Sequence, residues 1–311
     1  MPSKVRSIGS VTSITLAAVS LASCTTVPLA NSSQPEVAIT IDDLPVHGPY
    51  PAGETPQSVG SAVVRALTAA HAPAYGFVNG HWVAEQPDTA GVLRMWRSAG
   101  LSLGNHGWAH RHLSEMSPAE FEQELVRNEP MLKAGSEDWH WFRYPFLDEG
   151  WKSPKRAEAR QILAKHGYKV ATVTMDFGDW MWTAPYARCR AAGNEASVAR
   201  LEELYMQAAR ESIGYYRQVS RTAYGRDIPY VLLLHISPFE ARMLPRLLTL
   251  YREGGFRFVN LPDAEADPVY ADQVQLQLPA DPKDMEGKAA AIRPLPFRTD
   301  FAPILDAMCK G

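Results

Sequence analysis

The chain has 311 residues, 46% of them hydrophobic and 21% charged, with a formal net charge of −3. This is globular composition with room for one large domain or two small ones, and it lacks the basic stripe that nucleic-acid binding needs. No apolar run of about 18 residues occurs, which excludes an ordinary membrane-spanning helix.

The N-terminus stands apart. Lys4 and Arg6 are followed by "VTSITLAAVSLASC", small and apolar up to Cys24. A basic start before a short apolar stretch predicts a secretory signal over residues 1–23. Leu21-Ala22-Ser23-Cys24 resembles the bacterial lipobox, which implies an exported protein with Cys24 lipidated and held on a membrane. A standard signal cleaved nearby with an incidental Cys is the alternative. Removing residues 1–23 takes away two cations and no anion, so the mature charge is about −5. Residues 24–35 are small, polar and proline-bearing, a tether. Cys189 and Cys309 then remain. In an oxidising compartment an even pair favours a disulfide over two buried thiols.

From residue 36 strands and helices alternate. "VAITI" (37–41) is a strand. "TPQSVGSAVVRALTAA" is a helix with Thr55 as cap, Pro56 at its first position and Val59, Val63, Leu67 and Ala70 in helical period. "AYGFVNG" is the next strand, residues 88–99 a helix stopped by Gly100, and "LSLGN" a strand. Ser117-Pro118 and Glu120 form a capping box for the helix that follows. "HWFRYPF" and "KVATVTM" are strands around a helix capped by Ser153 and ended by Gly167. A long helix spans 195–218, "YVLLLHIS" is a strand buried on both sides, "EARMLPRLLTLYREGG" is a helix despite Pro245, and "FRFVNL" closes the series. Such alternation predicts an α/β fold, a closed or nearly closed barrel of about seven parallel strands over residues 36–262. Residues 263–311 are expected to wrap the barrel as a tail.

In such barrels chemistry gathers at the C-terminal strand ends. Those ends carry Asp42-Asp43, the run "HGWAH" with His106 and His110, Arg143, Asp176 with Asp179-Trp180, and His235. His106 and His110 are spaced so that both imidazoles can reach one ion. Alone, that spacing fits solvated histidines on a turn equally well. Each of the other residues alone fits a cap, a salt bridge or a satisfied core histidine. Five such ends on one face are harder to assign to packing.

The ordered segments "TIDDLP", "HGWAH", "RYPF", "DFGDW" and "LLLH" resemble the polysaccharide deacetylase family, also called carbohydrate esterase family 4 or NodB-homology domains. The resemblance covers roughly residues 37–260. It implies a distorted (β/α) barrel with a divalent metal, Zn2+ foremost with Co2+ or Ni2+ as alternatives, and removal of acetyl groups, N-acetyl above all, from an envelope or extracellular glycan. No protein partner is implied. By resemblance Asp43, His106 and His110 hold the metal. Asp42 is the general base, Arg143 its partner, His235 the general acid and Asp179 the carboxylate that tunes it. Trp180 and Leu233 line an acetyl pocket, and the backbone N–H near Phe146 faces the oxyanion.

The chain departs from the family in three places. Gly107 stands where Ser or Thr usually follows the first histidine, "RYPF" replaces R-x-P-Y, and Ile236 follows His235 where Asp is frequent. His112 lies past the motif as a polar loop residue. His47, His81, His140 and His166 have no partner motif and are expected on the surface or in loops. Among Trp82, Trp108, Trp139, Trp151 and Trp182, core packing is expected for each singly, with one or two near the cleft for stacking on sugars. Two other functions fit the residues less closely: hydrolysis of a small non-sugar amide at the same site, and glycan binding by a lipoprotein whose site has decayed.

Overall fold

A computed structural model of the protein describes residues 1–3, 34–135, 138–150 and 154–310. All but the first three residues of the signal segment, Cys24, all but the end of the tether, Trp151 and Ser153 lie outside the described residues. β1 (Glu36–Leu44) is buried along nearly its whole length, as its β-branched run requires. α1 (Pro56–Ala69) starts at Thr55, whose side chain accepts from the Ser58 N–H while the Ser58 hydroxyl accepts from the Thr55 N–H. β2 (Ala74–Val78) leads to two helices, α2 (Gly80–Glu85) and α3 (Ala90–Ser98). The 88–99 stretch is helical from its start, a 3-10 turn over Pro87–Thr89 running into α3, and the short α2 carries too little periodicity to be read from sequence.

β3 (Ser102–Asn105) and α4 (Pro118–Leu132) follow, the latter with the Ser117–Glu120 capping box. β4 (Trp141–Phe142), α5 (Lys155–Lys165), β5 (Lys169–Val170), α6 (Thr183–Ala191) and α7 (Glu195–Tyr224) come next. Then β6 (Tyr230–His235) leads into α8 (Pro238–Glu253), which runs through Pro245, and β7 (Arg257–Val259) completes the strands. Among the described residues no helix is long and apolar enough to cross a membrane.

The strands form one parallel sheet in the order β5-β4-β3-β2-β1-β6, with β7 against the start of β1. It curls into a half-barrel with helices outside, the distorted NodB-like barrel that the sequence implies. Two strands are shorter than expected, for local reasons. After Phe142 the chain turns at Pro145, which has no N–H to give a ladder. After Val170 side chains replace ladder bonds: the Thr172 N–H donates to Glu265 Oε1, and the Val231 N–H donates to Thr174 Oγ1. The chain returns to the sheet at Thr174 and Met175, whose N–H groups donate to the Val231 carbonyl, with Met175 pairing with Leu232.

The register sets the rim. Asp42 pairs with His235, and Asn105 pairs with Phe142. Base and acid candidates therefore sit side by side on adjacent strands, and His106 sits beside Arg143.

Beyond β7, the helices α9 (Leu261–Ala264), α10 (Ala271–Val274), α11 (Met285–Ala290) and α12 (Ala302–Ala307) bury Met285, Ala289, Phe301 and Leu305 in the main core. Arg298 reaches the rim. It donates to the Asp176 carbonyl at 2.9 Å and to the Tyr216 hydroxyl at 2.9 Å. Cys189 and Cys309 are bridged, with Cα atoms 5.2 Å apart. The bridge spans a sequence separation of 120, and closing a loop that long removes about 4–5 kcal/mol of chain entropy from the unfolded state.

Candidate active site

At the C-terminal end of the barrel the two acids of β1 point to different partners. Asp42 is buried and faces Arg143, whose Nη1 lies 3.2 and 3.1 Å from its two carboxylate oxygens. The guanidinium is fixed on its other sides. Nε donates to the Ala171 carbonyl at 2.7 Å and Nη2 to Thr40 Oγ1 at 3.2 Å. A buried charge pair needs such a closed set of bonds, since desolvation otherwise exceeds the Coulomb gain.

Asp43 faces the histidines. Its Oδ1 lies 3.4 Å from His106 Nε2 and 3.3 Å from His110 Nε2, and the three side chains form a group able to hold a metal ion. Donors about 2.0–2.1 Å from a common tetrahedral ion stand about 3.3–3.4 Å apart, which these distances match. Two further observations agree. Asp43 Oδ1 is buried without a hydrogen bond. His106 Nδ1–H donates to the Arg143 carbonyl at 2.8 Å, leaving the Nε2 lone pair turned toward Oδ1. Two lone pairs facing each other across a buried gap suit a cation between them. The residues therefore fit a divalent ion.

Backbone strain marks the same residues. Asp43 has φ 64° and His110 φ 51°, in the left-handed region that side chains disfavour. Such conformations cost about 1–3 kcal/mol each and persist where the surroundings impose them. Burial would raise the Asp43 pKa, but the neighbouring His106 and the hydrogen bond with His47 outweigh it and hold the carboxyl well below the usual range. Burial, then the neighbouring His106, lowers His110 to about 4, so it is neutral and able to ligate.

Gly107 is a requirement of the loop. At φ 73° an L side chain would be strained. The stiffness that a hydroxyl would give comes from amides instead. Asn79 donates to the carbonyls of His106 and Gly107, Asn105 accepts from the Gly107 N–H, and Asn128 donates to Asn105. Glu124 accepts from the Ala109 N–H at 2.6 Å.

His235 faces the same space from β6. Its Nδ1 lies 2.9 Å from Asp179 Oδ1, and its backbone N–H donates to the other carboxylate oxygen at 2.7 Å. Burial alone would lower its pKa, but Asp179, with Asp43 and Asp42, raises it to about 10. Asp179 thus takes the place of an acid at position 236, where Ile236 is buried in the core.

A cavity of about 320 Å³ is lined by Asp42, Asp43, His106, His110 and His235 together with Phe146, Trp180 and Leu233. Of the ten residues given roles from the sequence, eight border it, and Arg143 and Asp179 stand behind Asp42 and His235. Trp180 and Phe146 are half exposed at its mouth. A second cavity of about 680 Å³ adjoins it across Asp43, His47, His110 and Phe146, and extends over Tyr50, Glu54, Trp82 and Gln86.

His112 stays out of the cluster and stacks on Phe146 at 3.7 Å. His81, His140 and His166 lie beside Glu85, Asp138 and Glu122, away from the site. Trp182 is core and Trp82 borders the second cavity. His47 lies in a loop, as expected, yet unlike His81, His140 and His166 it joins the site. It is partly buried, borders both cavities and places Nδ1 2.6 Å from Asp43 Oδ2. Its only sequence signal was a position four residues after an acid, across Pro45, and loops give no periodicity from which to read such a contact.

Compared with known proteins, residues 30–171 match the family model described as polysaccharide deacetylase. A CE4 family pseudoenzyme from Bacillus anthracis is similar in fold, at 19% identity and a TM-score of 0.53 over 75% of this chain and 66% of that one. This chain thus spans about two thirds of that protein's length. A mutant of the pseudoenzyme with restored enzymatic activity aligns at 20% identity and a TM-score of 0.53, over 75% and 68% of the two chains. The Xyl-CE4 domain of a multidomain xylanase from the hindgut metagenome of Trinervitermes trinervoides aligns at 18% identity and a TM-score of 0.50, over 75% and 90%. At these identities the likeness is one of fold.

Proposed function

We propose, from the match of residues 30–171 to the polysaccharide deacetylase family model, that the chain is a metal-dependent hydrolase of the NodB-homology, carbohydrate esterase family 4 type, releasing acetate from an N-acetylated envelope or extracellular glycan. The observation that carries this reading is the convergence of Asp43, His106 and His110 beside an Asp42–Arg143 pair and an Asp179–His235 pair. A neighbour in fold is a pseudoenzyme, so the fold alone does not carry activity; the full set of seven supports an active enzyme over a decayed glycan-binding one.

In this reading Asp43, His106 and His110 hold a divalent ion, Zn2+ foremost. When bound, such an ion supplies a Lewis acid for the acetyl carbonyl and lowers the pKa of a nearby water. Asp42, steered by Arg143, takes a proton from the attacking water as its oxygen bonds to the acetyl carbon. The Phe146 backbone N–H faces the oxygen that gains charge. His235 gives its proton to the leaving nitrogen as the C–N bond breaks, leaving acetate and an amine. Asp179 keeps His235 charged for that role, and Trp180 and Leu233 enclose the methyl group.

The second cavity favours a sugar chain over a small amide, because it continues the first past Asp43, His47, His110 and Phe146 to a lining that includes Trp82 and Tyr50. We extend the proposal to location: an exported protein anchored through Cys24, supported by the basic start and "LASC". The test is acetate release from a panel of acetylated glycans. Activity should vanish with chelator and return with zinc, cobalt or nickel. Turnover of small amides alone would favour the other substrate class, and release indifferent to chelator would refute the metal role.

A further inference from the structure

The turn after β1 brings a second histidine onto the acid already read as a ligand. The Val46 N–H donates to the Asp43 carbonyl at 2.9 Å, which folds the chain back so that residue 47 faces residue 43. His47 Nδ1 then lies 2.6 Å from Asp43 Oδ2. The other oxygen, Oδ1, is buried, has no hydrogen bond and points at His106 Nε2 and His110 Nε2. The two oxygens of one carboxylate are therefore in different situations, one tied and one free. The His47 ring also lies 5.3 Å from that of His235, the acid candidate.

A carboxylate with both oxygens free can bind an ion through either or through both, and each choice changes the coordination number and the room left for substrate. A hydrogen bond to one oxygen removes that freedom, and outer groups of this kind typically change metal affinity by about 10–100-fold. We propose that His47 is a positioning residue: its Nδ1–H holds Oδ2 so that Asp43 presents Oδ1 alone to the metal. The proposal rests on the reading of Asp43, His106 and His110 as ligands. It also explains how Asp43 keeps its left-handed backbone, since the short loop that returns His47 starts at that residue.

Side-chain topology supplies a discriminating variant. In asparagine the amide nitrogen is attached as Nδ1 is in histidine, through Cβ and Cγ, so His47→Asn can keep the bond to Oδ2 while removing the rest of the ring. His47→Ala and His47→Phe remove the donor, and phenylalanine keeps the ring volume should alanine disturb the loop.

Zinc affinity of the full chain, by competition with a chromophoric chelator, and the absorption spectrum of the cobalt-loaded protein are both read without turnover. Zinc should bind His47→Ala and His47→Phe about 10–100-fold more weakly than wild type. His47→Asn should bind nearly as wild type, with an unchanged cobalt spectrum, whereas the alanine variant's spectrum should shift as Asp43 changes its mode. His110→Ala separates the two levels of the claim. If wild type binds zinc no better than His110→Ala, the ligand reading itself fails. If wild type binds well and His47→Ala and His47→Phe match it, only the positioning role fails. If His47→Asn is as weak as His47→Ala, the ring's Nε2 is what matters, and the role assigned here is overturned.

Discussion

His235→Ala is expected to lower kcat on an acetylated glycan by about 10²–10⁴-fold, the usual contribution of a general acid, while zinc content stays near normal. The residue lies on β6, paired in register with Asp42, and Asp179 holds its Nδ1 at 2.9 Å. Burial disfavours the charged ring, but Asp179, Asp43 and Asp42 outweigh burial and raise the pKa to about 10. The sign of the pH effect follows. A general acid acts while protonated, so activity persists on the alkaline side of an ordinary histidine and falls as pH rises toward about 10. The basic limb of the kcat/KM profile should disappear in His235→Ala. In Asp179→Asn it should move toward lower pH, because burial then acts with less opposition. Wild-type turnover by His235→Ala on a substrate with a poor leaving group would assign the acid to another residue.

Asp42→Asn should also lower kcat by about 10²–10⁴-fold, because an amide cannot take the proton from the attacking water. The metal should remain, since Asp43 carries the free oxygen toward the histidines. The variant has a second consequence. Arg143 is 1% exposed and would lose the charge it faces. Leaving a buried charge without its partner costs about 3–5 kcal/mol, which denaturant unfolding should register. Kinetics below the unfolding transition separate the two effects. Loss of zinc with little loss of rate would mean that the two aspartates have each other's roles.

The strand ends were legible because barrels place chemistry there and because each apolar run stops at a polar residue of a particular type. Asp42, Asp43, His106, His110, Arg143 and His235 all follow such runs. The Thr55 and Ser117 caps were legible for a local reason, each serving donors a few residues away. What escaped reading depends on contacts distant in sequence or on loops. β5 is cut short by Glu265, 93 positions from the Thr172 it bonds. The loop after His106 is stiffened by Asn79, Asn105 and Asn128, which sequence spacing does not connect. His47 joins the site through a turn, and no pattern of period 2 or 3.6 reports a turn.

The central claim is that Asp43, His106 and His110 together bind the catalytic metal. Crystals grown with zinc, measured on both sides of the zinc absorption edge, test it most directly. The account predicts an anomalous peak at the C-terminal rim of the barrel about 2.0–2.2 Å from Asp43 Oδ1, His106 Nε2 and His110 Nε2, with Asp43 Oδ2 still bonded to His47. A protein that hydrolyses acetylated glycan yet shows no peak there, or a peak held by other residues, would contradict it.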